Sequence, residues 1–334
     1  SPGLPYLEIG STNAIVISVA RDIIIEAIIA RLDLYCEVDL CQTQLNAKEL
    51  VEFGYSDMVR TFVKNELHKL QKLDEGRVRL IMSISLVDQA IARILFSPQN
   101  HLEVETWSDI KSKPGMGFTH EQTGYLIDYV NNMSRIPDSY DSTGWDFSVK
   151  EWELREEGHA RIRLAGQAHN SLYAKVVNNA VYCVSRSVIA LSDGSLFYQT
   201  IPGIMKSGWL NTSSSNSRIM VRSAFHCGVT EIMAQGDDHA AVSSEGYVGK
   251  MLELGHVIRK EDVLYDFAFC SHQYGLNGTC HTDNVLKITA TLLSKDGDLG
   301  MRAELYNAWV RDMDMHPQFH YWDALVRGTG YLEL

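Results

Sequence analysis

Cysteine is scarce in this chain: six thiols in 334 residues are too few for the disulfide framework of a small secreted fold, and a reducing compartment is the default expectation. Proline and glycine, at 7 and 24 residues, fall far short of a collagenous or low-complexity composition. Disorder over most of the length is excluded as well, because 45% apolar residues suffice to bury a sizeable core. A long uncharged hydrophobic run is also missing. The most apolar stretch, Ala14 to Leu34, carries Arg21, Asp22, Glu26, Arg31 and Asp33, which excludes a membrane span. Ile24, Ile25, Ile28, Ile29 and Leu32 are instead expected on one buried face of a soluble helix. No basic segment followed by an apolar one opens the chain, so no signal peptide is expected. The start at Ser1, without Met, suggests a processed piece or an excised domain.

Several catalytic signatures are absent. There is no Gly-x₄-Gly-Lys-Ser/Thr loop, which removes P-loop NTPases, and neither His-Glu-x₂-His nor Gly-x-Ser-x-Gly, which weakens zinc protease and α/β-hydrolase readings. Cys270, His272, Cys280 and His281 do not have the spacing of a zinc finger. Excess positive charge is lacking too. The net charge of −12 argues against a protein that simply coats nucleic acid.

Against that acidic background stands a basic island. Arg60, Lys64, Lys69, Lys72, Arg77 and Arg79 outnumber Glu66, Asp74 and Glu75 over twenty residues, marking a candidate anion site. Helical periodicity is expected to about Asp39, over Leu86–Phe96, Glu121–Asn131, Ser148–Ala165, Ser214–Cys227 and Glu245–Leu254, and again beyond Asp296. Strands are expected around Val78–Ile81, on both sides of Gly236–Asp238, and in Val263–Ser271. The six tryptophans are expected in the core or between helices. Without a regular βαβ rhythm the class is α+β.

Three stretches carry chemistry. Asp141-Ser142-Thr143-Gly144-Trp145-Asp146 puts one carboxylate at a strand end and another past a turn, with a helix N-cap as the competing use of Asp146. Ser207-Gly208-Trp209-Leu210-Asn211-Thr212-Ser213-Ser214-Ser215-Asn216-Ser217-Arg218 is dense in hydroxyls and amides and feeds an amphipathic helix. Gly236-Asp237-Asp238 places two hard oxygen donors at a hairpin tip, which suits Mg²⁺ or Mn²⁺. Carboxylates from separate strands that share two such ions form the device for in-line nucleotidyl transfer.

In order and spacing, these stretches resemble motifs A, B and C of the palm of viral RNA-dependent RNA polymerases: Asp-x₄-Asp, Ser-Gly-x₃-Thr-x₃-Asn, Gly-Asp-Asp. Lys64-Asn65-Glu66-Leu67 with Gly76-Arg77-Val78-Arg79-Leu80-Ile81 resembles motif F, Phe269-Cys270-Ser271 the primer grip of motif E, and Ser1-Pro2-Gly3-Leu4-Pro5 motif G. Thr-Ser-Ser-Ser-Asn-Ser-Arg, Phe-Cys-Ser-His and Lys-Pro-Gly-Met-Gly are closest in wording to the sobemovirus–polerovirus group of plus-strand RNA viruses. The resemblance covers essentially the whole chain.

It implies a right-hand polymerase. Residues 1–135 would form the fingers with part of the palm. Residues 136–272 would form the palm, built on a central antiparallel sheet and interrupted by a fingers insertion between motifs A and B. Residues 273–334 would form the base of a truncated thumb. Asp141 and Asp237, with Asp238 as a secondary ligand, would hold two Mg²⁺ or Mn²⁺ ions. Asp146 and Asn216, with Thr212 nearby, would sense the ribose 2′-OH, the group that separates RNA from DNA. Lys64 and Arg79 would meet the incoming triphosphate, with Lys69 and Arg77 as further candidates, and Ser207-Gly208 would be a mobile loop adjusting to the new pair. Lys260 is the expected general acid toward pyrophosphate, with Lys250 and Arg259 as rivals; such an acid typically contributes about 10²–10⁴-fold.

The implied partners are RNA template, nascent RNA, NTPs and other viral replication proteins. The implied location is the host cytoplasm, at membranes only through those other proteins, since the chain offers no membrane segment of its own. Competing readings are a reverse transcriptase, a two-metal nuclease, or a non-catalytic RNA-binding scaffold. A reverse transcriptase carries a bulky aromatic where this chain has Asp146, and the intact acidic set disfavours the scaffold.

Overall fold

The computed structural model describes residues 1–67 and 70–333, apart from the Lys72 side chain. Of the basic candidates, Lys69 and the Lys72 side chain therefore lie outside the described residues. The elements run α1 (Asn13–Glu37), α2 (Leu40–Thr43), α3 (Ala47–Glu52), β1 (Val59–Val63), α4 (Leu70–Asp74), β2 (Leu80–Ser83), α5 (Leu86–Glu105) and α6 (His120–Asn131). Then come β3 (Asp138–Thr143), α7 (Trp145–Ser148), α8 (Glu151–Leu164), α9 (Leu172–Ser185), β4 (Val188–Leu191), β5 (Leu196–Tyr198) and α10 (Thr212–His226). The chain continues through β6 (Ile232–Gln235), β7 (Asp238–Ala241), α11 (Tyr247–Glu253), β8 (Val257–Lys260), β9 (Phe267–Phe269), β10 (His272–Tyr274) and β11 (Cys280–Thr282), and ends in α12 (Val285–Leu293), α13 (Leu299–Met313) and α14 (Phe319–Gly328).

Three sheets organise these elements. The central one is antiparallel, in the order β6-β7-β3-β8. A second, β2-β1-β4-β5, joins the basic segment to the chain after α9, with β1 and β4 parallel. A three-stranded meander, β11-β10-β9, is tied to the central sheet where Ala268 N donates to Ser139 Oγ at 2.7 Å. One apolar cluster runs beneath the first two sheets, from Val16 and Phe96 through Trp209 to Met251. Another holds Trp107, Met116 and Leu126 against Phe267 and Tyr274. A third, around Tyr306, Trp309 and Val326, lies wholly within the last helices.

One expectation needs correction. α1 is real, but Ile25 and Ile29 are exposed while Ile24 is buried. The helix breaks at Ala20, where φ is −132°, and its buried line follows Val16, Ala20, Ile24, Arg31 and Tyr35. The helix expected over Ser148–Ala165 is α8, Glu151–Leu164, preceded by the separate short α7. Between them Val149 is extended, because its carbonyl accepts Ile204 N at 2.8 Å, just as Asp146 O accepts Met205 N at 2.8 Å. Trp107, Trp145, Trp209 and Trp309 are buried as expected.

Candidate functional site

The hairpin β6–β7 closes through a two-residue turn, Gly236–Asp237, with Gln235 paired to Asp238. Gly236 has φ +65°, which glycine adopts without the steric cost other residues meet. Its N–H donates to Ser217 Oγ at 2.8 Å, so α10 is fastened directly to the turn. β3 lies beside β7 with Tyr140 opposite His239. One residue further on, Asp141 comes level with the turn, and Ser142 Oγ donates to Asp237 O at 2.8 Å. Acids 96 positions apart in the chain thus meet across one strand pair.

Their charges feel one another. Burial pushes the Asp237 carboxyl above its ordinary range, and the charge of Asp141 adds to this against a backbone hydrogen bond and Arg79. Burial, followed by the charges of Asp237, Glu261 and Asp141, pushes Asp238 up to about 7. The acids outnumber the cations beside them, where Arg259 lies against Asp141 and the charge of Arg79 reaches Asp237. Among the described residues no three His, Cys, Asp or Glu side chains close on one point. Mg²⁺ and Mn²⁺ take one or two protein carboxylates and complete their shell with water and phosphate oxygens.

Asp146 sits in α7 and is not its N-cap, a place taken by Gly144. Asn216 Nδ2 donates to Asp146 Oδ1 at 2.8 Å, while Asn216 Oδ1 is buried without a partner. Burial raises the Asp146 carboxyl, the Asn216 hydrogen bond lowers it, and the charges of Asp237 and Arg79 also reach it. This pair therefore lies beside the acids and keeps an unused buried acceptor, the feature needed to recognise a hydroxyl.

The basic segment comes over the same place only in part. Arg79, on the side of Asp146 and Asp237, shares Glu66 with Lys64, at 3.4 Å and 2.9 Å respectively. Burial works to raise Glu66, but the Lys64 hydrogen bond and the Arg79 charge outweigh it and hold the carboxyl below its usual range. Arg77 pairs with Glu75 on the exposed turn instead, away from the acids.

Other candidates take roles different from those expected. Ser207 Oγ accepts Met82 N at 3.0 Å, Gly208 N donates to Met82 O at 3.0 Å, and Gln89 Nε2 donates to Gly208 O. The Ser207–Gly208 segment is therefore docked on β2 and not free. A Cβ at Gly208 would lie 2.4 Å from Met82 O, so the close approach requires glycine. Thr212 Oγ1 donates to Lys206 O at 2.7 Å and Trp209 O at 2.8 Å, holding its own loop and not reaching toward Asp146.

Lys260 lies on the face away from Asp141 in this structure. In the register of β3 with β8, Lys260 is opposite Tyr140 and Arg259 opposite Asp141. Side chains alternate across a strand, so Lys260 follows Tyr140 to the reverse face, where it pairs with Asp138 at 2.5 Å. That face is packed by a Tyr140–His239 stack and the edge of Tyr247. Arg259 holds Asp141 Oδ2 instead, through Nε at 3.0 Å and Nη2 at 2.7 Å. Lys250 reaches Cys227 O at 3.1 Å.

At the β9–β10 turn Phe269 is buried, and Cys270 and Ser271 have φ of +52° and +59°, the two-residue pattern that fits the twist of a hairpin. Burial, then the charges of Asp238 and Asp237, raises the Cys270 thiol well above its ordinary value, which places the turn beside the acids. The sequence reading missed Ser217, Glu261 and the support behind α10. Buried Glu157 takes Arg161 at 2.9 Å, Arg218 at 3.0 Å and Arg222 at 2.6 Å. A glutamate in mid-helix carries no sequence signal for such a role.

The profile of a family described as viral RNA-directed RNA-polymerase matches residues 2–128 and 134–272. The chain is 40% identical over 287 residues to the replicase polyprotein P2AB of Cocksfoot mottle virus, covering 81% of this chain and 30% of that protein. It is 42% identical over 243 residues to protein P1-P2 of a Scottish strain of Potato leafroll virus, covering 68% and 22%. The chain thus spans under a third of these relatives. In fold it is similar to a Sicinivirus 3Dpol RNA dependent RNA polymerase, with a TM-score of 0.74, 14% identity, and coverage of 98% of this chain and 71% of that one.

Proposed function

Because this chain belongs to the viral RNA-directed RNA polymerase family, beside the sobemovirus and polerovirus replicases, we propose that it extends RNA from NTPs on an RNA template by two-metal nucleotidyl transfer. The observation that carries this reading is the β3–β7 pairing, which brings Asp141 level with Asp237 and Asp238. A right-hand fold supplies the frame, with the central sheet as its palm. We divide it into residues 1–135 as fingers with part of the palm, 136–272 as palm and 273–334 as the base of the thumb. The boundary at 272/273 falls within β10, and the apolar cluster of the last helices begins at Val285.

Asp141 and Asp237, assisted by Asp238, would hold two Mg²⁺ or Mn²⁺ ions, and the mutual repulsion of these acids fits that pair. When bound, such ions lower the pKa of a 3′-hydroxyl and neutralise a leaving pyrophosphate. Lys64 and Arg79 are the cations that meet the triphosphate, Arg79 by its planar fork. Asp146 orients Asn216, whose unused Oδ1 accepts from the ribose 2′-OH. Phe269, Cys270 and Ser271 set the primer end beside the acids. Lys260 remains the candidate general acid toward pyrophosphate, with Arg259, which faces Asp141, as its rival, and Thr212 with Ser207–Gly208 fixes the loop that carries α10.

RNA template and nascent RNA are the macromolecular substrates, and other viral replication proteins the partners. No described helix is long and apolar enough to cross a membrane. We place the enzyme in the host cytoplasm, at membrane-associated replication complexes through those partners.

The test is nucleotide incorporation on a homopolymer RNA template with Mg²⁺ or Mn²⁺. The complementary NTP should be incorporated by this chain and not by Asp237→Ala. Equal use of dNTP would make it a reverse transcriptase, degradation of RNA without NTP a nuclease, and indifference to Asp237→Ala a scaffold.

A further inference from the structure

A groove of about 610 Å³, lined by none of the site acids, lies between Asp109–Ser112, Tyr129 of α6, Ala160 of α8, and Arg218, Val221 and Arg222 of α10. Its volume lies within the range of small-ligand sites. The polymerase reading gives it no task.

Its cations are only partly used. Arg222 Nη1 donates to Glu157 Oε2 at 2.6 Å, but Arg222 Nη2 is buried with no acceptor. A buried donor left unmet is costly, so a ligand acceptor there would be favoured. Arg218 engages Glu157 only through Nε, at 3.2 Å from Oε2 and 3.0 Å from Oε1. Glu157 already holds Arg161 at 2.9 Å, so one carboxylate serves three guanidinium groups. Lys111 has no ion pair among the described residues, and its Nζ lies 5.9 Å from the Phe225 ring centre. The acids nearby are committed or on the rim: Glu103 accepts from Ser112 and Ser214, Glu231 accepts from Ser134, and Asp109 is exposed. Between the cations the lining is apolar, from Ile110, Ala160, Val221 and Tyr129, whose ring also carries Lys113 Nζ 3.3 Å from its centre.

We propose that this groove binds a phosphate-bearing ligand of nucleotide size, its phosphate on Lys111, Arg218 and Arg222 and its flat body against Ile110, Val221 and Tyr129. Planar guanidinium forks suit phosphate oxygens, and the apolar walls suit a base. The phosphate can come from a free nucleotide or from one unit of an RNA strand. In either case the site is separate from the catalytic acids. A ligand there pulls on the arginines that anchor α10, the helix bearing Asn216 and Ser217.

The experiment titrates the whole chain with AMP, and separately with an RNA trinucleotide, by calorimetry in metal-free buffer containing EDTA. We expect a saturating isotherm, weakened about tenfold or more by Lys111→Gln. Arg222→Gln should weaken binding too, with a melting curve to show that it remains folded. Binding of the trinucleotide alone, with the same sensitivity to Lys111→Gln, identifies RNA as the source, and binding of AMP identifies a free nucleotide. The proposal is overturned if neither probe saturates, if Lys111→Gln binds like the parent, or if Arg79→Gln abolishes binding while Lys111→Gln does not. None of these outcomes bears on template-directed incorporation, which is measured with metal and tested at Asp237.

Discussion

At the scale of single residues, the account turns on which atoms are left with spare capacity. Asn216 is 4% exposed and gives its amide to Asp146, leaving Oδ1 unmatched. Losing one hydrogen bond to a 2′-hydroxyl is worth about 1 kcal/mol, so Asn216→Ala should reduce NTP-over-dNTP discrimination roughly fivefold in single-nucleotide incorporation. An unchanged ratio would assign the sensing elsewhere. Arg259 makes the opposite point, since its charge is already spent on Asp141. Arg259→Gln should impair incorporation more than Lys260→Gln, because only Arg259 shares a face with Asp141; equal losses would contradict the register. The acids themselves were legible in the sequence, because the spacings Asp-x₄-Asp and Gly-Asp-Asp are local. The choice between Arg259 and Lys260 was not, because adjacent strand residues point to opposite faces and only the pairing of β3 with β8 says which is which.

At the scale of elements, the site depends on how α10 and its leading loop are held. Glu157 is 2% exposed and the shared partner of three arginines. Breaking a buried charge network from one side leaves unpaired charge, so Glu157→Gln should cost about 3–5 kcal/mol in denaturant unfolding. Gly208→Ala forces a methyl against Met82 O and should cost about 1–3 kcal/mol, with lost incorporation as the loop leaves β2. The loop also contains a buried lysine. Lys206 Nζ donates to Gln199 Oε1, Gly203 O and Ile204 O at 2.8–3.0 Å, and burial lowers its pKa to about 7. The unfolded chain binds this proton up to about pH 10.4, so between pH 7 and 10 the unfolded state holds more protons. Stability should therefore rise with pH across that window. Lys206→Met should remove that part of the slope in melting curves taken from pH 7 to 10. Helix and strand positions near α6, α10 and β6–β7 were readable from periodicity and turn residues. The break between α7 and α8 was not, since it comes from a strand-like contact with residues 203–205, and neither was the exposure of Ile25 and Ile29, which depends on which side of α1 is covered.

At the scale of the whole molecule, an acidic chain handles anions by separating its charges. The net charge of −12 coexists with Lys64 and Arg79 on one side of the acids, and what matters to a bound phosphate is the local potential. The class and the order of the parts were legible because the motifs occur in sequence along essentially the whole chain. How the sheets meet was not, because it is set by single long-range bonds such as Ala268 N to Ser139 Oγ and Gly236 N to Ser217 Oγ. The central claim is that Asp141 and Asp237 converge on common cations. Its most direct test is a crystal of this chain grown with Mn²⁺ and an NTP, with the ions located by anomalous scattering. The account predicts manganese within about 2.2 Å of carboxylate oxygens of both residues, with Arg259 displaced from Asp141. Manganese bound elsewhere, or the two carboxylates too far apart to touch one ion, would contradict it.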